Sequence, residues 1–310
     1  MKSTLKVWTG LGLATALVGA GLSGCAGEAG EGDGGESAVA GEAGEGEGGE
    51  GPGESGAGEG GEGAGGEGGE GAGGEGGEGE GGEGEGGEGG EGEGGVAVSE
   101  ASTDAVVYGS ALAIVEAHAI AARDAYKVGK IDPAAEMFGH PVSEVLADMD
   151  PVFEQLGVED FKSAMNDASA AALKPDNTQE VEKAFQTILT ALEGAASKAP
   201  ASDLSKGAVA AGVVADQIGR AASMYGEAAG GDAYEPYLDG YGFYKAAAAA
   251  FERESSAIKT YNSGLHGDIQ AALDALAAAY PGAERPDSLD VAQGKLLGAS
   301  SKVNLGLPAA

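Results

Sequence analysis

The chain predicts an all-α fold: an antiparallel bundle of six to eight helices behind a linker of glycine and glutamate that has no means of folding. Three observations carry this expectation. From Val96 onward, apolar residues recur at three- and four-residue spacings instead of alternating, which is the period of a helix with one buried face. The same region is rich in alanine, whose small side chain lets helices approach closely. Between residues 26 and 95, by contrast, the chain repeats Gly-Glu and Gly-Gly-Glu units with no apolar side chain larger than Val39. Nothing there offsets the entropy of ordering, so that stretch is expected to be disordered.

The helices are read in order from their punctuation. A first helix from about Thr103 to Val128 carries Val107, Leu112, Val115, Ala119, Ala122 and Tyr126 on one stripe and stops at Gly129. Asp132-Pro133 suits the start of a second, because proline is tolerated in a first turn. That segment meets Pro141, which has no N–H for the carbonyl of Met137, so a kink or a fresh start is expected at His140, with helix resuming to Leu156. Further helices are expected at Phe161 to Leu173, Thr178 to Ser197 behind Asn177, and Leu204 to Ala228 behind Ser202. After Gly230-Gly231 comes a tyrosine-rich turn, then Tyr244 to Tyr261, Leu265 to Tyr280, and a last helix from about Ser288 to Ser301.

Charge narrows the function classes. The formal net charge over 310 residues is -34, and most of it lies between residues 26 and 95, where there is no Lys or Arg. Such a chain repels phosphate backbones and anionic lipid surfaces, so nucleic acid is not expected as a partner. At glycine-rich scaling, residues 26 to 95 span roughly 45 Å root-mean-square, stretched further by repulsion among the glutamates. This is a solvated spacer, since tight cation sites need rigid converging oxygens.

Residues 1 to 24 read as a signal peptide, with Lys2 and Lys6 ahead of an apolar run ending at Leu22. The run closes on Leu22-Ser23-Gly24-Cys25, and Cys25 is the one cysteine of the chain. This quartet resembles the lipobox of bacterial lipoproteins. The resemblance implies cleavage before Cys25, lipidation of that residue, and membrane attachment through acyl chains worth ~0.8 kcal/mol per buried methylene. It also implies a sorting rule in which Ala26, not being Asp, favours the outer membrane. The expected organisation is thus a signal at 1–24, a lipidated Cys25 with its tether at 25–95, and a helical domain at 96–310.

Candidate chemistry is sparse. There are three histidines, His118, His140 and His266. His140, Glu144 and Asp148 are spaced four residues apart and share a face if the helix holds, and a short connection makes the first two helices antiparallel, bringing His118 opposite the His140-Glu144 end. Two imidazoles and a carboxylate suffice for iron, copper or zinc, and bundles build such sites between facing helices. The competing reading has His118 packing at a helix interface and His140 capping ahead of Pro141. His266 reads as a loop residue at a helix start. Tyr126, Tyr237 and Tyr241, with Tyr234, Phe243 and Tyr244 nearby, are candidates for a ligand pocket whose phenol and carboxylate oxygens suit ferric iron, or for an aromatic plug where helices meet, each hydroxyl reaching water. No enzymatic activity is expected: there is no Gly-x-Ser-x-Gly elbow, no His-Glu-x-x-His helix and no thiol left for nucleophilic work.

The lipobox, the acidic linker, the alanine-rich helices and Gly139-His140-Pro141-Val142-Ser143-Glu144 together resemble the imelysin-type helical periplasmic lipoproteins of bacterial iron uptake. Those carry Gly-x-His-x-x-Glu, whereas here glycine adjoins the histidine and three residues separate it from Glu144. His118 to Leu156 is also similar to helical modules that accompany bacterial iron permeases. The resemblance implies metal binding by His140 and Glu144, joined by His118 on the topology argument, with iron as the preferred ion and envelope metal-transport components as partners. The other expected class is a scaffold or interaction module of the envelope without a ligand.

Overall fold

The computed structural model describes residues 98–308, so the signal, Cys25 with its lipobox, and the tether lie outside the described residues. The described chain is an all-α helical bundle, as its periodicity predicts. After a short 3₁₀ turn at Val98–Glu100 come α1 (Ala105–Lys127), α2 (Ile131–Pro141), a π-helical segment (Val142–Leu146) and α3 (Ala147–Leu156). Then follow α4 (Lys162–Ala172), α5 (Thr178–Ala196), α6 (Lys206–Ala229), α7 (Glu235–Tyr261), α8 (Ser263–Ala279) and α9 (Gln293–Asn304). Counting α2, the π segment and α3 as one rod gives eight helices among the described residues.

α1 is the axis of the bundle. Asp104 caps it, its Oδ1 accepting from the N–H groups of Val106 and Val107 at 2.7 and 3.1 Å. The single stripe expected on this helix is instead burial on nearly every side from Ser110 to Ala122, because α2, α5, α6 and α7 all pack against it. It is long and apolar enough to cross a membrane, but its apolar surface is spent inside the bundle. Its neighbours have defined directions. Tyr108 donates to the carbonyl of Ala195 while Arg123 lies over the Phe185 ring, so α5 runs antiparallel to α1. Tyr241 bonds Asp124 and Arg253 bonds Glu116, so α7 is antiparallel too. The contacts of Val106 with Gly212 and of Gly109 with Val213 make α6 run parallel to α1.

Other expectations change as well. The rod does not break at His140. Pro141 withholds an N–H and crowds the preceding turn, and the chain accommodates it by widening the next turn, where the N–H of Ala147 bonds Val142, five residues back. The tyrosine-rich turn is already helix: α7 opens at Glu235 with Pro236 in its first turn, where a missing N–H costs nothing. The last helix begins at Gln293 because the preceding segment is held in a non-helical path, the N–H of Val291 donating to the Tyr225 hydroxyl at 2.9 Å and Arg285 donating to the carbonyls of Ala228 and Gly231.

α1 and α7 meet without room for a side chain at Gly242. A Cβ there falls 2.6 Å from the Ala117 carbonyl oxygen and 3.0 Å from Ala121 Cβ. Gly242→Val is therefore expected to destabilise the fold by at least about 2 kcal/mol through overpacking against backbone. Gly194→Ala, at an exposed α5 position with open space around it, should stabilise by up to about 1 kcal/mol through helix propensity. Urea-denaturation midpoints of the two variants check this, and equal midpoints would refute the tight α1–α7 contact.

Candidate metal centre

His118 sits in the enclosed middle of α1, 6% exposed. Its Nδ1 lies 2.9 Å from the carbonyl oxygen of Ile114, one turn back. A carbonyl can only accept, so Nδ1 carries the proton and Nε2 holds the lone pair. The Phe243 ring of α7 stands edge-on to the imidazole at 5.7 Å, which fixes its orientation from the other side. A backbone acceptor on one ring nitrogen and a lone pair on the other is the arrangement that metal-ligating histidines use.

The rod of α2 and the π segment supplies the facing groups. His140 lies one residue before the end of α2, and Glu144 lies in the widened turn. Over four residues an α-helix overshoots a full turn by about 40°, and the wider turn takes part of that back, lining Glu144 up with His140. Glu144 Oε2 is 3.8 Å from His118 Nε2, and Glu144 Oε1 is 3.9 Å from His140 Nδ1. One ligand atom from each of His118, His140 and Glu144 falls within 4.8 Å of the other two. Bonds of ~2.1 Å put opposed ligands ~4.2 Å apart, so small rotamer adjustments close the set around one ion. Asp148, a turn farther along the rod, is exposed and is not in this cluster.

α7 faces the same point. Asp239 Oδ1 is 3.5 Å from His118 Nε2, and Glu235 Oε1 is 3.6 Å from His140 Nε2. Sequence reading did not connect this pair with the histidines, because it placed them in a turn. Their spacing of four on a helix was the available signal, hidden by Pro236 and the glycines around them. Arg220 of α6 contributes positive charge nearby and lies over the Phe243 ring at 5.9 Å. Burial pushes the His118 pKa down to about 4, the Ile114 carbonyl pulls it the other way, and His140 and Arg220 add to the lowering. The imidazole is therefore neutral at pH 7, and its Nε2 lone pair faces the carboxylates of Glu144 and Asp239.

The tyrosines are engaged elsewhere. Tyr126 donates to the Lys174 carbonyl at 2.6 Å and accepts from the Asn177 N–H, clamping the α4–α5 connection. Tyr237 donates to the Gly282 carbonyl and Tyr234 to that of Ala283, tying α7 to the segment after α8. Tyr241 alone reaches a carboxylate, Asp124, at 2.9 Å. Tyr126, Tyr237 and Tyr241 thus direct their hydroxyls to three different places. His266 is in the first turn of α8 and not in a loop, its Nε2 2.8 Å from the Ser255 hydroxyl.

These buried phenols generate an alkaline prediction. Burial raises Tyr108, Tyr234 and Tyr237 from 10.0 to about 12. Below pH 10 both folded and unfolded chains keep these protons. Between pH 10 and 12 the unfolded chain loses them first, so stability falls as pH rises, by about 1 kcal/mol per phenol at pH 11. Urea midpoints at pH 9 and 11 should differ accordingly, the difference shrinking in Tyr237→Phe, with no pH dependence as the refuting result. No protein-family model matches the chain, and neither does any curated protein or solved structure.

Proposed function

We propose that the protein is a lipid-anchored, non-enzymatic binding protein of the bacterial cell envelope that holds one transition-metal ion, iron by preference, between His118, His140 and Glu144. Its role is metal uptake or handling alongside envelope metal-transport components. The observation that carries the reading is the convergence of three ligand atoms from two different helical rods to within 4.8 Å, with the proton of the buried imidazole already committed to Ile114. The lipobox at Leu22–Cys25 and the resemblance to imelysin-type lipoproteins supply the location, and Ala26 favours the outer membrane. The preference for iron rests on that resemblance, since two imidazoles and a carboxylate accept several first-row ions.

Metal titration of the full chain tests the site. The chain purified in detergent is expected to bind one Fe²⁺ or Zn²⁺ with sub-millimolar affinity. At a hundredfold excess over Kd, this adds about 2.7 kcal/mol of stability and raises Tm by roughly 5–10 °C. His118→Ala should lose at least about 100-fold in affinity while keeping the tether glutamates, which separates the site from weak binding along the linker. A wild-type chain whose Tm ignores iron, copper and zinc leaves the scaffold reading in its place.

The anchor is tested separately. Cys25→Ser should release the protein from the membrane fraction, and globomycin should block maturation of the wild type. Mature chain recovered without lipid in the culture fluid would refute the anchor.

A further inference from the structure

Resting on that metal site, we infer that α7 forms its third wall, with Asp239 as a fourth ligand and Glu235 as the outer carboxylate that positions His140, so that the site takes divalent ions of borderline character such as Fe²⁺ and Zn²⁺. Asp239 approaches His118 Nε2 more closely than Glu144 does, at 3.5 Å against 3.8 Å. It is also mostly buried, at 17% exposure. Asp239 is not among the three mutually close ligand atoms. A rotation of its short side chain toward the Nε2 lone pair brings it in, which an ion bound there would draw.

Glu235 has a different geometry. It is over half exposed and meets His140 at Nε2, while Glu144 meets the same ring at Nδ1. When the metal takes Nδ1, Nε2 carries the ring proton and Glu235 accepts it, as Ile114 does for His118. Both imidazoles then have an outer acceptor that sets tautomer and direction.

The donor set decides the ion class. Two neutral imidazoles and the carboxylates of Glu144 and Asp239 cancel the charge of a divalent ion. They offer no sulfur for Cu⁺ and too few oxygens for the six to eight that Ca²⁺ takes. α7 is also far in sequence from the other two walls, so an ion here ties it to α1 and to the α2 rod.

Titration of the full chain with Co²⁺, and Zn²⁺ affinity by competition against it, tests the assignment. Asp239→Asn is expected to weaken binding at least tenfold and to shift the Co²⁺ absorption bands, because a ligand has changed. Glu235→Gln, at an exposed position, should weaken binding about tenfold with the bands in place, because the ligands are the same and only His140 is less well held. Asp148→Asn, exposed on the same rod as Glu144, should stay within twofold of wild type. If Asp239→Asn melts abnormally without metal, Asp239→Glu replaces it, with shifted bands again expected. Variants of both Asp239 and Glu235 that bind within twofold of a wild type that itself binds would overturn this inference and leave the three-ligand site standing. A wild type that binds no better than His118→Ala overturns both.

Discussion

The enclosure of α1 is the constraint on which the rest of the domain depends. A helix with apolar residues on every side has to be covered on every side, and four helices are recruited to do so. Any polar group carried into that enclosure must find its partners there, since an unsatisfied buried donor or acceptor costs about as much as the hydrogen bond it forgoes. His118 meets this demand at Nδ1, on the backbone of its own helix, and leaves its Nε2 lone pair facing carboxylate oxygens of two further elements. The burial that makes α1 the core is the same physical fact that keeps the imidazole neutral.

Small residues translate that enclosure into distances. With glycine at 242 and alanine at 117 and 121, α7 lies directly against the α1 backbone. The side chains that flank the contact are thereby delivered to α1: Phe243 against His118, Tyr241 on Asp124, and Asp239 beside Nε2. A larger residue at the contact would move α7 outward and carry all three with it. The widened turn after Pro141 does the corresponding job on the other wall. It lets a proline sit inside a rod that still presents His140 and Glu144 toward the same point, and wide turns of this kind recur at functional sites for the same reason.

The phenols show how the bundle divides its polar groups. Tyr126, Tyr234, Tyr237 and Tyr280 each donate to a backbone carbonyl, those of Lys174, Ala283, Gly282 and Ala221. These carbonyls lie in connections or on a neighbouring helix, where the hydroxyl closes a contact between elements. The aromatic-plug reading describes what these side chains do, with protein carbonyls in the role that water was expected to fill.

Much of this was readable in the residues alone. Helical period, caps and glycine stops are local properties, so the number and order of helices followed from spacing, and so did the proximity of His118 to the His140-Glu144 end, because a short connection forces α1 and α2 to fold back on one another. The lipobox reading at Cys25 rests on the sequence alone. What required the tertiary structure was everything set by contact between distant segments: the burial of α1 all round, the continuation of helix through Pro141, and the arrival of Glu235 and Asp239 at the site. A proline or a glycine looks like punctuation when only its own backbone is considered. Whether it ends a helix or lets one pack more closely depends on the neighbour it meets, and that neighbour, more than a hundred residues away in the case of α1 and α7, is not written in the local period.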